Sequence, residues 1–349
     1  MRFLAVTSMR NEGAFLLEWL AHHRATGFTD FLVFSNDCDD GTDAMLDRLA
    51  ALGWLSHVRN PGPWDEGPQW AALKAADRHP LVRAADWILV CDVDEFVNIH
   101  AGDHTLPALL AALPEASAIA LTWRFFGNAG VVRYQDRPVT ETFTRAAPAV
   151  LNWPWRAAMF KTLFRNDGSY RKLGVHRPRS PDRDRLAALR WHDGSGRRLS
   201  GSFLNQRVFS DYGQDNFGLV QLNHYALGAM ESFVVKRDRG RANRGGDFDM
   251  GYWIERNFCD VEDRSIQALA PARAALQAEL MDDPELSRLH ARAVAWRHAR
   301  FAALMERESA RALLGQLLMA PPSRALSAEA AEVVLTHARR AAARRKTTD

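Results

Sequence analysis

Cysteine is scarce in this 349-residue chain, and the three present, Cys38, Cys91 and Cys259, lie far apart. They form no zinc-type pair and no disulfide framework, a usage that fits a reducing compartment. Long apolar runs are missing as well; none approaches the roughly 18 residues that a membrane span requires. The run at 1–9 is too short for the core of a secretory leader and turns polar at Arg10-Asn11-Glu12, so the chain is expected to begin directly in its fold. Nor does either charge dominate: 45 Lys and Arg face 42 Asp and Glu, a formal net charge of +3. A dedicated nucleic-acid binder carries a larger basic surplus, so nucleic acid is not expected as a partner. Glycine-rich phosphate loops are absent. Neither a Walker loop nor Gly-x-Gly-x-x-Gly follows the first apolar run, and neither Gly-x-Ser-x-Gly nor His-Glu-x-x-His occurs. These absences weigh against an NTPase, a dinucleotide oxidoreductase, a nucleophile-elbow hydrolase and a zinc protease.

What is present is an ordinary globular composition, 47% hydrophobic and 25% charged, at a length that allows one large domain or two. Apolar runs at 3–7, 30–35, 55–59 and 87–91 read as strands. Helical spacing at 13–25, 43–52 and 70–79 falls between them. Such alternation implies parallel strands joined by crossover helices, with the active site beyond the carboxyl ends of the strands. From about residue 118 the runs shorten. Stretches 118–125, 142–146, 161–164, 176–178 and 219–225 read as strands of a mixed sheet, and 231–239 as a helix. Beyond Arg264 the chain is rich in Ala, Leu, Arg and Glu and reads as a helical appendage.

Polar clusters follow the first, second and fourth strands. The sharpest is Cys91-Asp92-Val93-Asp94-Glu95-Phe96. Two carboxylates at i and i+2 share one face of an extended strand and repel unless a cation or a proton relieves them. Hard oxygen ligands suit Mg2+ or Mn2+, which in turn bridges a diphosphate. An acidic turn satisfied by backbone N–H groups is the other reading. Asn36-Asp37-Cys38-Asp39-Asp40-Gly41-Thr42 offers acceptors to ribose hydroxyls or base N–H groups, Asn36 and Asp37 foremost, while Asp40 or Thr42 can cap the next helix. In Thr7-Ser8-Met9-Arg10-Asn11-Glu12, Arg10 suits a phosphate and Glu12 a base or ribose, unless the segment only caps a helix. Gln69, Trp70 and Lys74 sit at a loop–helix junction able to close over a nucleotide. His224 can complete a metal shell begun by carboxylates, and Lys236-Arg237 can meet a phosphate or an acidic acceptor.

Taken together, these residues resemble the glycosyltransferase family 2-like proteins, and more narrowly the subgroup resembling family 92 enzymes. The resemblance is carried by 7–12 with Glu18-Trp19 and His22-His23, by Ser35-Asn36-Asp37 with Asp40-Gly41-Thr42, and by 91–96. Asn223-His224-Tyr225, Phe233, Lys236-Arg237 and Gly240-Arg241-Ala242-Asn243 add to it. It covers the chain to about residue 257. It implies an α/β GT-A-type nucleotide-binding domain with a mixed central sheet over 1–260, the donor half at about 1–117 and the acceptor half at about 118–260. The helical region at 261–349, with its basic tail, lies beyond it.

The resemblance further implies a sugar transferred from a nucleoside-diphosphate sugar to a hydroxyl of a glycan or lipid-linked acceptor, with inversion. Mn2+ or Mg2+ would be held by Asp94 and His224 with Asp92, and Asn11, Glu12, Asn36, Asp37, Lys74 and Asp92 would contact the nucleotide sugar. Lys236 and Arg237 would meet phosphate or acceptor. No Glu-Asp pair stands where family 2 places its base, so Asp136, Glu141, Asp182 and Asp215 are the base candidates. A sugar-phosphate nucleotidyltransferase, or a non-catalytic carbohydrate- or nucleotide-binding module, is the alternative. The expected location is cytoplasmic, with the tail of Arg339, Arg340, Arg344, Arg345 and Lys346 as a peripheral contact to the inner membrane face or simply solvated.

Overall fold

The computed structural model describes residues 1–240 and 248–346, with side chains to residue 341. Arg241, Ala242 and Asn243 therefore lie outside the described residues, as do the side chains of Arg344, Arg345 and Lys346.

A ten-stranded mixed sheet forms the centre. Strands β1 (Phe3–Met9), β2 (Asp30–Ser35), β3 (Ser56–Arg59) and β4 (Trp87–Val90) run parallel in the order β4-β1-β2-β3. They alternate with α1 (Gly13–Thr26), α2 (Thr42–Ala51) and α3 (Pro68–Ala76), the crossover pattern read from the sequence. On the far side of β4 the chain adds β5 (Glu95–Ile99), β6 (Ala118–Phe125), β7 (Phe160–Arg165), β8 (Trp191–Asp193), β9 (Arg198–Leu199) and β10 (Val220–His224). β7 is antiparallel to both β4 and β6, and β10 lies between β5 and β6.

Period-2 alternation explains the layers. Along β1, Phe3 and Ala5 pack with the α1 and α2 side chains Leu16, Trp19, Leu20 and Met45. Leu4 and Val6 face the opposite layer, where Leu73 of α3 meets Phe160 and Trp191. The result is a mixed α/β architecture of the GT-A type, with helices on both faces and further helices at the C-terminus.

Those later helices are α4 (Met230–Arg239), α5 (Met250–Ile254), α6 (Ala270–Met281), α7 (Pro284–Leu304), α8 (Glu308–Met319) and α9 (Ala328–Lys346). Leu280, Leu286, Leu289 and Ala293 of α6 and α7 belong to the same core as α1. Gly13 opens α1 where α7 crosses; a Cβ there would lie 2.8 Å from Ala293 Cβ. The crossing explains why α1 is buried almost all round, Glu18, His22 and His23 included. Among the described residues no helix is long and apolar enough to cross a membrane.

Three stretches differ from the sequence reading. Strand β5 is not among the strands expected from the sequence, where Glu95 and Asn98 interrupt the apolar run. Both are buried and satisfied: Glu95 Oε1 accepts from Trp123 Nε1 at 2.7 Å, and Asn98 Nδ2 donates to Ser265 Oγ at 2.8 Å. The expected strand at 142–146 shrinks to Arg145–Ala146, because Val139–Thr142 is a short helix whose first amides are held by the Glu18 carboxylate. The expected strand at 176–178 is absent. Arg177 is drawn inward to the Phe203 carbonyl at 2.7 Å, and the strand begins at Arg179–Pro181.

Candidate active site

The carboxyl ends of β1, β2 and β4 open into a cleft of about 490 Å³. Its first side holds Arg10 and Asn36 from the strand ends, Trp64 from the loop before α3, and Gln69 and Trp70 from the first turn of α3. Its second side holds Trp123, Arg156, His176 and His224 from the later strands and loops. Lys236 and Arg239 of α4 also line it, with Tyr252 and Arg256.

Local hydrogen bonding fixes the strand ends. Asn11 and Asp37 take left-handed backbone conformations, φ 55° and 46°, which Asn and Asp tolerate better than most residues. Asn11 Oδ1 accepts from Asp39 N at 2.7 Å. Asp40 accepts from Gly13 N at 2.9 Å and from Thr42 N at 2.9 Å, satisfying the starts of α1 and α2 at once, the capping role weighed for it. Asn36 is buried, donating to Ser8 Oγ at 3.1 Å and accepting from Asn60 Nδ2 at 2.7 Å.

Asp92 and Asp94 lie in the turn between β4 and β5, not on a strand, so their side chains part. Asp92 turns to Lys161, whose Nζ lies 2.9 Å from Asp92 Oδ2 and 3.3 Å from Glu95 Oε2, and it also accepts from Gln69 Nε2 at 3.1 Å. Lys161 is fully buried. Burial opposes its charge, but Asp92 and Glu95 outweigh burial and hold the ammonium above lysine's ordinary value. Asp94 turns to α4, where Lys236 Nζ meets its Oδ2 at 2.7 Å. Burial would raise this carboxyl; Lys236 and His224 outweigh it and keep Asp94 well below the usual carboxylate range. Burial lowers His224, so its imidazole is neutral near pH 7. A second pair on α4 joins Arg239 to Glu12.

For a divalent cation the donor chemistry fits in part. His224 Nε2 lies 3.8 Å from Asp94 Oδ2, and His224 Nδ1 is buried with no hydrogen-bond partner. The carboxylate suits Mn2+ or Mg2+, whereas the imidazole is the softer donor of the two. Asp92, expected as a third donor, is turned away to Lys161. Among the described residues no group of three or more His, Cys, Asp or Glu is placed to hold a metal.

Of the sequence-derived candidates, Glu12, Asn36, Asp92, Asp94, His224 and Lys236 line the cleft. Asn11 faces an adjoining chamber. Asp37 stands outside the cleft lining, accepting from Gly62 N at 3.2 Å, and Lys74 is an exposed partner of Glu66 at 2.9 Å. Arg237 lines a separate surface pocket with Arg307. None of the four base candidates lines the cleft. Asp136 pairs with His290, Glu141 with Arg273, Asp182 accepts from Asp184 N, and Asp215 accepts from Phe217 N. Trp123, Arg156, Tyr252 and Arg256 escaped the sequence reading, since each arrives from an element paired only in three dimensions.

Residues 5–188, just over half of the chain, match the sequence model of glycosyltransferase family 92. The chain belongs to that family. The match contains Asp92, Asp94 and Lys161, whereas His224, Lys236 and Arg239 lie beyond it. A family 92 protein of Oryza sativa subsp. japonica is 26% identical over 145 residues, covering 40% of this chain and 24% of that protein. One from Ricinus communis is 27% identical over 146 residues, covering 40% and 25%. The chain thus spans about a quarter of the length of these curated relatives. Among solved structures, S. aureus TarS has a TM-score of 0.33 at 15% identity, covering 78% of this chain and 43% of TarS. Family membership rests on the sequence match and not on that superposition.

Proposed function

We propose that the protein is a glycosyltransferase that moves a sugar from a nucleoside-diphosphate sugar to a hydroxyl of a glycan or lipid-linked acceptor, with inversion. The observation that carries this reading is the convergence of three strand-end clusters on one cleft, roofed by the cations of α4. The nucleoside belongs on the side of Asn36, Gln69 and Trp70, where polar edges and indole faces suit a base and ribose. The diphosphate belongs under Lys236, Arg239 and Arg256, whose positive charge stabilises it as it departs. The sugar and acceptor belong on the side of Trp123 and Arg156.

Asp94 and His224 are the residues we assign to Mn2+ or Mg2+. When bound, such a cation screens the diphosphate charge and favours its departure. Lys236 holds the same carboxylate oxygen of Asp94, so lysine and metal compete for it. A cytoplasmic site of action fits the sparse cysteines, and Arg339 and Arg340 on α9 suit a peripheral contact with anionic lipid.

The test is release of nucleoside diphosphate from a panel of UDP- and GDP-sugars, with and without Mn2+ and an acceptor extract. Asp94→Asn is expected to lower turnover by about a hundredfold or more while the protein still melts cooperatively. Undiminished turnover in that variant would remove Asp94 from the reaction. Absence of both turnover and thermal shift with every nucleotide would remove the transferase reading.

A further inference from the structure

Adjoining the cleft lies a second cavity of about 150 Å³, lined by residues of α1, β5, α4 and α7. The Lys236–Asp94 and Arg239–Glu12 pairs stand between the two spaces and line both. The inner chamber has apolar walls, with Phe15, Phe96, Tyr225 and Trp296 among them. At its α7 side stands Arg297, only 7% exposed.

Among the described residues no carboxylate forms an ion pair with the Arg297 guanidinium; Glu12 and Asp40 act on it only from a longer range. Its hydrogen bonds run to Ser232 alone, from Nε to Oγ at 3.3 Å and from Nη2 to the carbonyl at 3.2 Å. Otherwise it lies 4.5 Å from the centroid of Phe15 and 5.4 Å from that of Tyr134. Three of the four carboxylates lining the chamber are already taken: Asp94 by Lys236, Glu12 by Arg239 and Asp238 by Arg300. Burying an ion is costly, and cation–π contacts return only part of that cost. Among the described residues the lining brings five basic side chains (Arg10, Lys236, Arg239, Arg297, Arg300) beside four acidic ones (Glu12, Asp39, Asp94, Asp238), with the Asp40 carboxylate acting from behind the wall.

We propose that this chamber binds a small amphipathic anion, a carboxylate or phosphate monoester on an apolar body about the size of a six-membered ring, with its charged end on Arg297. The aromatic walls hold the apolar body, and the ion pairs of α4 stand between the ligand and a nucleotide in the front cleft. The two sites share a wall, so occupancy of one is felt at the other through the ion pairs of α4.

The experiment is calorimetry and thermal shift on the full chain with phenyl phosphate, benzoate, inorganic phosphate and benzyl alcohol, each at up to about 10 mM and repeated with saturating UDP. Phenyl phosphate or benzoate is expected to bind and to raise the melting temperature. Benzyl alcohol, which lacks the charge, and inorganic phosphate, which lacks the ring, are expected to bind at least about tenfold more weakly. Arg297→Met should lose the preference for the charged probe. Val235→Phe fills the chamber from α4 while leaving Arg297 in place, and should block phenyl phosphate even if Arg297→Met fails to fold. Competitive displacement by UDP would place the anion in the front cleft and overturn the proposal. So would unchanged binding in Val235→Phe, or no binding of either ring-bearing anion. UDP binding with no probe binding would overturn only the chamber; probe binding without any nucleotide binding would overturn only the transferase reading.

Discussion

Lys236 Nζ lies 2.7 Å from Asp94 Oδ2, so the carboxylate proposed to hold a divalent cation already carries a cation supplied by this chain. Removing that ammonium leaves Asp94 with the neutral His224 as its nearest partner. Lys236→Met is therefore expected to tighten Mn2+ binding by about tenfold, the size of one close charge–charge term at a partly solvated site. Calorimetric titration of Mn2+ in the absence of nucleotide checks this. Unchanged or weaker Mn2+ binding in Lys236→Met, or undiminished binding in Asp94→Asn, would count against a metal on Asp94.

The Lys161 pair is a matter of stability first. With Asp92 and Glu95 both within 3.3 Å and no exposure of its own, Lys161 neutralises a pocket that would otherwise hold carboxylates alone. Lys161→Met is expected to cost about 1–3 kcal/mol, because Asp92 loses its charged hydrogen-bond partner; burial lifts Glu95 to about 8, so that carboxyl takes up a proton near neutral pH and does not stand as an unpaired charge. Adding Glu95→Gln should not return that loss, since the amide oxygen can accept from Trp123 Nε1 but its NH2 then faces the Asp92 N–H that now donates to Glu95 Oε2. Urea unfolding of the two single variants and the double gives the coupling. A Lys161→Met protein that unfolds like the parent would show that the pair contributes nothing.

What could be read in advance follows from locality. Strands β1, β2 and β4 are short apolar runs ending in polar clusters, so the sequence alone places the cleft and its floor residues Glu12, Asn36 and Asp94. Strand β5 was hidden because Glu95 and Asn98 carry polar groups that find buried partners on β6 and near the start of α6. The parting of Asp92 and Asp94 was equally hidden. It depends on Lys161 and Lys236, 69 and 142 residues away, and no spacing rule reaches that far. The same distance in sequence concealed the inner chamber, whose Arg297 reads locally as one more charge on an amphipathic helix.

The buried histidines of α1 set an acid limit on stability. His22 Nε2 lies 2.8 Å from the Val97 carbonyl, and burial, with Arg273 adding to it, lowers the group to about 4. His23 is lowered too, by burial and by His22. Each folded value lies below the unfolded value near 6.5, so below pH 6.5 the unfolded chain binds protons that the fold refuses. Stability from these groups is complete above that pH and falls as pH drops toward 4. His22 alone accounts for about 3 kcal/mol over that window. Urea midpoints at pH 7.5, 6 and 5 should fall in that order. The fall should be smaller in His22→Gln, whose amide can still donate to Val97; an identical profile in that variant would rule His22 out as the cause.

The last relationship joins the two ends of the chain. At the start of α1, alanine is intrinsically the better helix former, by up to about 1 kcal/mol over glycine. Gly13→Ala nevertheless places its Cβ 2.8 Å from Ala293 Cβ, where neither α1 nor α7 can yield without disturbing the core they share. Overpacking of that kind costs about 1–3 kcal/mol, so a net loss of stability is expected. Ala293→Gly removes the opposing methyl, and the double variant should recover most of what Gly13→Ala loses, a coupling that two independent sites would not show. Thermal unfolding of the three variants decides it. If Gly13→Ala proves neutral or stabilising, α7 does not press on α1 as described, and the helical region is an appendage rather than part of the core built on the central sheet.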